Sequence, residues 1–140
     1  MKRKTLPTGE EIKKPPRSIK SRLPQWPCQI RLVPVRAPYF ENADLLVAAD
    51  CTAFAYGNFH EDFIKDHITI IGCPGLDEGD YTEKLTEIIK NNDIRSVKVV
   101  KMEVPCCIGI ENAVNRAIIN ADKTIPHQII TVSTDGNILD

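Results

Sequence analysis

The sequence predicts one three-layer α/β domain on a mostly parallel sheet of four to five strands. Two observations predict it. Short continuous apolar runs (LLVAA, ITII, VKVVKM and QIITV) recur between residues 45 and 132, the mark of strands buried on both faces. Between them lie segments with apolar residues at helical spacing. Strands alternating with helices of this length require crossover connections and a sheet covered on both sides. The length of 140 residues and the apolar fraction of 42% fit one domain with one sizeable core.

Residues 1–24 predict an extended, basic, Pro-rich arm, and residues 25–140 the α/β domain. The stretch from residue 1 to 27 holds half of the ten prolines, and Pro15–Pro16, Pro24 and Pro27 exclude helix and central strand alike. Trp26 is expected to be its first anchor on the core. Cys28–Val33 reads as a short strand ended by Pro34, and Leu45–Ala49 as the next. Thr52 is placed to cap a helix over residues 53–65, where Phe59 and Phe63 fall one turn apart. Ile68–Ile71 is the following strand. Asp80 with Glu83 resembles a capping box for a helix whose Leu85, Ile88 and Ile89 share a face. Val97–Met102 is a further buried run. Gly109 then opens a helix with Ile110, Ala113, Val114, Ala117 and Ile118 on one stripe. Gln128–Val132 is the last strand, and Thr134–Asn137 (TDGN) a tight turn beyond it. The strand order expected for such a chain is flavodoxin/Rossmann-like.

Charge is uneven. The formal net charge is -1, yet residues 1–22 carry +6 and the remainder -7. The average argues against a nucleic-acid binder, and the arm, which lacks interleaved aromatics, reads as a solvated tail or a docking segment for an acidic partner or RNA. No apolar run approaches the ~18 residues of a membrane span. The basic start lacks the ~7–15-residue apolar stretch of a secretory signal, so a cytoplasmic protein with no membrane partner is expected.

Five cysteines in a chain without an export signal suggest metal or redox chemistry before disulfides. Their placement is the most informative feature of the sequence. Cys51 follows LLVAAD, Cys73 ends ITIIGC, and Cys106 and Cys107 end VKVVKMEVPCC. Three strands therefore each deliver cysteine to the carboxyl end, the edge where open α/β sheets build their sites. A lone strand-end cysteine is ordinary core filler; four at one edge predict a shared site. Cys28 precedes its strand, which in a parallel sheet sends it to the opposite edge and out of the set.

Four thiolates suit zinc or an iron–sulfur cluster. Structural zinc draws on C-x₂₋₄-C knuckles, which the chain lacks, whereas ligands spread over three strands with one vicinal pair suit the corners of a cubane. Gly72, Pro74, Gly75 and Gly109 permit close backbone approach, and helix starts after Cys51 and Cys107 turn positive dipole ends toward an anion. The expected cofactor is a [4Fe-4S] cluster on Cys51, Cys73, Cys106 and Cys107, with zinc in the same pocket and a metal-free interaction module as alternatives.

Other chemistry has less support. Neither G-x-G-x-x-G nor G-x-x-x-x-G-K-[ST] occurs, which leaves no usual phosphate cradle. A cysteine nucleophile at Cys51 or Cys107 has no evident His base. His60 reads as a surface or locally hydrogen-bonded residue, and His67 and His127, just before strands, as structural. Glu61 and Asp62, adjacent on a helix, point apart. Asp50 and Glu103 precede strand-end cysteines and either tune the site or cap the following turns. Asp77, Glu78 and Asp80 form an acidic loop beside Cys73, either a solvated turn or a docking rim.

The segments LPQWPCQIRLVPVRAPYFENADLLVAADCTAFAYGNFHEDFI, IIGCPGLDEGDYTEKLTEII and VVKMEVPCCIGIENAVNRAI resemble the C-terminal module of a family of ferredoxin-type iron–sulfur proteins of anaerobic prokaryotes. The resemblance covers roughly residues 22–139 and runs through every cysteine loop. The family's N-terminal dicluster ferredoxin, with its C-x₂-C-x₂-C-x₃-C-P motifs, has no counterpart here, because residues 1–24 contain no cysteine. The resemblance implies iron–sulfur association and an anaerobic setting, not a named reaction; with the shared cysteine edge it leads to the expectation of an electron carrier or an accessory to a redox protein partner rather than a stand-alone catalyst. More distantly, GCPG after a strand and the PCC-x-G turn are similar to cluster loops of hydrogenase small subunits and the related subunit of respiratory complex I.

Overall fold

A computed structural model describes residues 19–105 and 108–139 of the chain. The expected arm therefore lies outside the described residues up to position 18, as do Cys106 and Cys107.

Five strands form one sheet in the order β2-β1-β3-β4-β5. They are β1 (Ala43–Ala49), β2 (Ile68–Gly72), β3 (Ile94–Met102), β4 (His127–Val132) and β5 (Ile138–Leu139). The first four run parallel, and the two-residue β5 closes the edge antiparallel to β4. This is the expected flavodoxin-like order, in which the chain leaves β1 toward one side for β2 and toward the other for β3. The crevice above the carboxyl ends of β1 and β3 is thus the topological switch point.

Alternation along the central strands assigns each residue to one of two cores. Leu45 and Val47 face α2 (Thr82–Asn91) and α3 (Ile108–Asn120), with Leu85, Ile88, Ile110 and Val114 buried between them. Leu46 and Ala48 face the opposite layer, where Phe59, Phe63 and Ile64 pack. A strand with both faces covered has no position for a polar side chain, and β1 accordingly reads ADLLVAA with five consecutive buried residues at its end.

Three local expectations are corrected. The long helix over 53–65 is broken: α1 (Thr52–Ala55) is a single turn, and a separate π-helical turn covers His60–Ile64. The break falls at Gly57–Asn58, where the chain lacks helix-favouring residues. Phe59 and Phe63 still meet, their ring centroids 5.3 Å apart. Thr52 does not cap that helix; it is the first helical residue, and its hydroxyl donates back to the Ala49 carbonyl at 2.6 Å. Trp26 is not an anchor but 77% exposed. Gln25 takes that role, its amide donating to the Thr69 carbonyl at 2.5 Å and accepting from the Thr69 amide at 3.2 Å. These bonds satisfy the outer edge of β2 as a neighbouring strand would.

The expected strand Cys28–Val33 shrinks to one bridge, Gln29 with Ile71, followed by turns. The Ile71 amide donates to the Cys28 carbonyl and the Ile30 amide to the Ile71 carbonyl, both at 2.8 Å. Ile30 and Val33 then bury completely in the core under α2 and α3.

Candidate functional site

The carboxyl edge of the sheet is built by the loops that follow the first four strands. In the β1–β2 ladder Ala49 pairs with Gly72, and the Asp50 amide donates to the Gly72 carbonyl at 3.0 Å. The last paired residues of two adjacent strands therefore stand level, with Cys73 next in one chain and Asp50–Cys51 next in the other. Neighbouring strands lie ~4.8 Å apart, which brings these two expected ligands to one edge. Cys51 is exposed and Cys73 half-buried, and both are free thiols. Cys106 and Cys107 lie outside the described residues, between Pro105 at the end of the β3 loop and Ile108 at the start of α3. Among the described residues no group of three or more His, Cys, Asp and Glu is arranged to hold a metal ion.

The Cys73 loop is tightly positioned. Its carbonyl accepts from the Leu76 amide at 3.1 Å and the Asp77 amide at 3.0 Å, which closes a helical turn after the strand. Tyr81, 2% exposed, donates its hydroxyl to the Asp77 carboxylate. Burial first, and then Asp77, push the phenol well above its ordinary pKa, so it stays a donor. The Arg31 guanidinium lies 5.7 Å from the Tyr81 ring centroid and 3.6 Å from the Asp77 carboxylate. Gly72 makes room for this clamp, because a Cβ there would stand 2.6 Å from the Tyr81 hydroxyl oxygen. On the other side, a Cβ at Gly109 would come within 3.0 Å of the Pro74 ring. The Cys73 loop thus rests directly on the first turn of α3, one residue beyond the helix start that follows Cys107.

Asp50 is half-buried, and its Oδ1 is enclosed without a hydrogen-bond partner among the described residues. Burial, reinforced by the nearby Asp77 charge, raises its pKa, while a hydrogen bond with Gln29 opposes the rise. It is therefore not a cap of the following turn. Glu103 is exposed, 3.5 Å from the Thr134 hydroxyl across the β3 and β4 loops.

Cys28 is corrected. Its single bridge meets β2 at Ile71, one residue from that strand's carboxyl end, not along the whole strand. It lies near the cysteine edge and within the field of Asp50, which together with burial, the larger cause, raises its thiol pKa. The sequence argument failed because it presumed a full strand where the chain contributes one residue.

The histidines and the paired carboxylates stand as expected. His60 accepts from the Arg22 amide at 3.0 Å, and Arg22 also binds Glu61 at 2.7 Å. Asp62 instead accepts from Tyr56 at 2.6 Å and Asn58 at 3.0 Å. His67 and His127 belong to the opposite edge, where each ring nitrogen meets a backbone carbonyl two residues earlier. A cleft of about 560 Å³ opens there, lined by Arg22, Tyr39, Asp44, His67 and Arg95 among others. Its strongest charges satisfy one another. Asp44 accepts from Arg95 Nε at 3.0 Å and from the Ser96 hydroxyl at 2.6 Å, which holds its carboxyl down to about 2. The cleft is remote from the cysteine loops.

Sequence reasoning missed Tyr81 and Gln29. Tyr81 sits between a capping aspartate and the helix it starts, a place that reads as surface, and only its spacing of four from Asp77 hints at the contact. Gln29 carries no signal of its own.

A family model described as a Rossmann-like domain matches residues 37–140. An uncharacterized protein of Archaeoglobus fulgidus is 35% identical over 94 residues, which are 66% of this chain and 66% of that protein. The chain thus spans just under two thirds of that relative's length. No solved structure matches it.

Proposed function

This chain belongs to the Rossmann-like domain family, and we propose that its carboxyl edge binds a [4Fe-4S] cluster through Cys51, Cys73, Cys106 and Cys107, serving electron transfer or a redox partner in the cytoplasm. The observation that carries the reading is the register of β1 and β2, which sets the exits toward Cys51 and Cys73 level at the carboxyl edge. The contact of Pro74 with Gly109 supports a common site, since it joins the Cys73 loop to the helix that follows Cys107.

The residues present fit such a group. Thiols are the donors a cluster takes. The enclosed Oδ1 of Asp50, the residue before Cys51, has no hydrogen-bond partner among the described residues. Burial and the Asp77 charge raise the pKa of this carboxyl, and polar groups near cluster sulfur tune potential. When bound, the cluster supplies one-electron chemistry. The chain's own part is to hold the thiols: Tyr81 and Asp77 fix the Cys73 turn, while α1 fixes the chain after Cys51, whose carbonyl accepts from Phe54 and Ala55. Among the described residues no helix is long and apolar enough to cross a membrane.

Anaerobic purification followed by iron and sulfide analysis tests the reading. The expected result is about four iron and four sulfide per chain, an EPR signal after reduction, and loss of both in Cys73→Ser. Zinc without iron, or neither after anaerobic reconstitution, overturns it.

A further inference from the structure

We infer that the carboxyl edge is also a docking surface, and that its occupant is a redox protein with a basic surface around an apolar contact. The inference takes the word redox from the cluster reading; the chemistry of the partner comes from the surface itself.

Each cysteine-bearing loop ends in a large apolar side chain turned out to solvent. Phe54, third after Cys51, is 93% exposed; Leu76, third after Cys73, is 83% exposed; Ile108, next after Cys107, is 51% exposed. Scattered exposed apolar residues are ordinary. Here one stands on every cysteine loop, and folding requires none of them. The one-turn α1 buries Thr52 and leaves Phe54 free of the core. The Leu76 and Ile108 loops are in contact through Pro74 and Gly109. Large exposed apolar side chains gathered around one edge are the usual centre of an interaction surface.

Charge decides what covers them. The loops after the four parallel strands carry Asp50, Glu78, Glu103 and Asp135. Three cations of this region are already engaged: Arg31 with Asp77, Lys101 with Glu111 at 3.9 Å, and Arg116 with Asp80 at 4.0 Å; Lys84, in the first turn of α2, is the other one. Glu78, Glu103 and Asp135 are exposed with no cation at ion-pair distance among the described residues. The opposite edge mixes Arg22, Lys65, His67 and Arg95 with Glu41, Asp44 and Asp66 around its cleft. The cysteine end is thus the more acidic of the two. Such a field draws in a basic partner and turns the acidic end toward it. A nucleic acid or an anionic membrane is repelled from the same end.

The test uses the full chain, with a lysine-rich c-type cytochrome as probe and the succinylated, charge-reversed form of that cytochrome as its control. Binding is followed by backbone amide shifts, in metal-free and in reconstituted protein. The native cytochrome is expected to perturb Phe54, Leu76, Glu78 and Glu103 and to lose about tenfold in affinity between low and physiological salt, while the succinylated form does not bind. Phe54→Ser with Leu76→Ser weakens binding and keeps its salt dependence; Glu78→Lys with Glu103→Lys weakens binding and flattens that dependence. Equal binding of both cytochromes, an affinity indifferent to salt, or shifts confined to the Arg22–Arg95 cleft overturns the inference. Iron analysis of the same samples is read separately, so an iron-free protein that still binds the basic probe sinks the cluster and leaves the surface standing.

Discussion

The Cys73 turn depends on a residue eight positions away. Tyr81 is buried against Gly72, and its hydroxyl holds Asp77 at the far end of the turn. Tyr81→Phe keeps the ring and its packing but strands the part-buried Asp77 carboxylate. A lost hydrogen bond of this kind costs about 1–2 kcal/mol. Urea unfolding of the metal-free variant is expected to show a midpoint lowered to that extent. Reconstituted protein is expected to release its iron to a chelator faster than the parent. An unchanged midpoint and an unchanged release rate would show that the turn holds without the hydroxyl. The strand-end positions of Cys51 and Cys73 were legible in the sequence because a cysteine that ends an apolar run has only one edge to occupy. The Tyr81 contact was not, because it depends on how far the loop folds back over its own strand.

Among the elements, β1 and β3 are stapled where they begin. Asp44 pairs with Ser96 in register and binds both that hydroxyl and Arg95. Its folded pKa of about 2 lies below the ordinary carboxylate value. A depressed carboxylate contributes stability that is present above its unfolded pKa and disappears as pH falls through the folded one. Asp44→Asn is therefore expected to destabilise the protein by about 1 kcal/mol at pH 7, with the difference from the parent shrinking from about pH 4 downward. Thermal melts across that range check it; a difference that persists at the acid end contradicts the assignment. The sequence made strands and helices visible through apolar period, and β1, β2, β3, β4, α2 and α3 all stand where that period puts them. It misread Cys28–Val33 and residues 53–65, since an apolar run does not tell whether a neighbouring strand is there to pair with, nor where a glycine breaks a helix.

Over the whole molecule, two cores share one sheet. The larger, under α2 and α3, is closed at the β2 edge by Ile30, Val33 and Phe40 from the segment before β1. Leu85 is fully buried within it, and Leu85→Ala is expected to cost about 2–5 kcal/mol. Circular dichroism during urea unfolding is the check, and a loss well under 1 kcal/mol would mean that the core is less tightly packed than the contacts indicate. Composition and pattern alone determined the α/β class, the number and type of the main elements, and the delivery of cysteines to the carboxyl ends of strands, because these follow from local period and the direction of the chain. Only the tertiary structure decided that Cys28 lies near that same edge, that Tyr81 pins the Cys73 turn, that Pro74 rests on Gly109, and that unpaired acidic groups gather at the cysteine end. Each of those depends on which distant segments meet, and the energy that selects such meetings is spread over the whole core and written in no short stretch of chain.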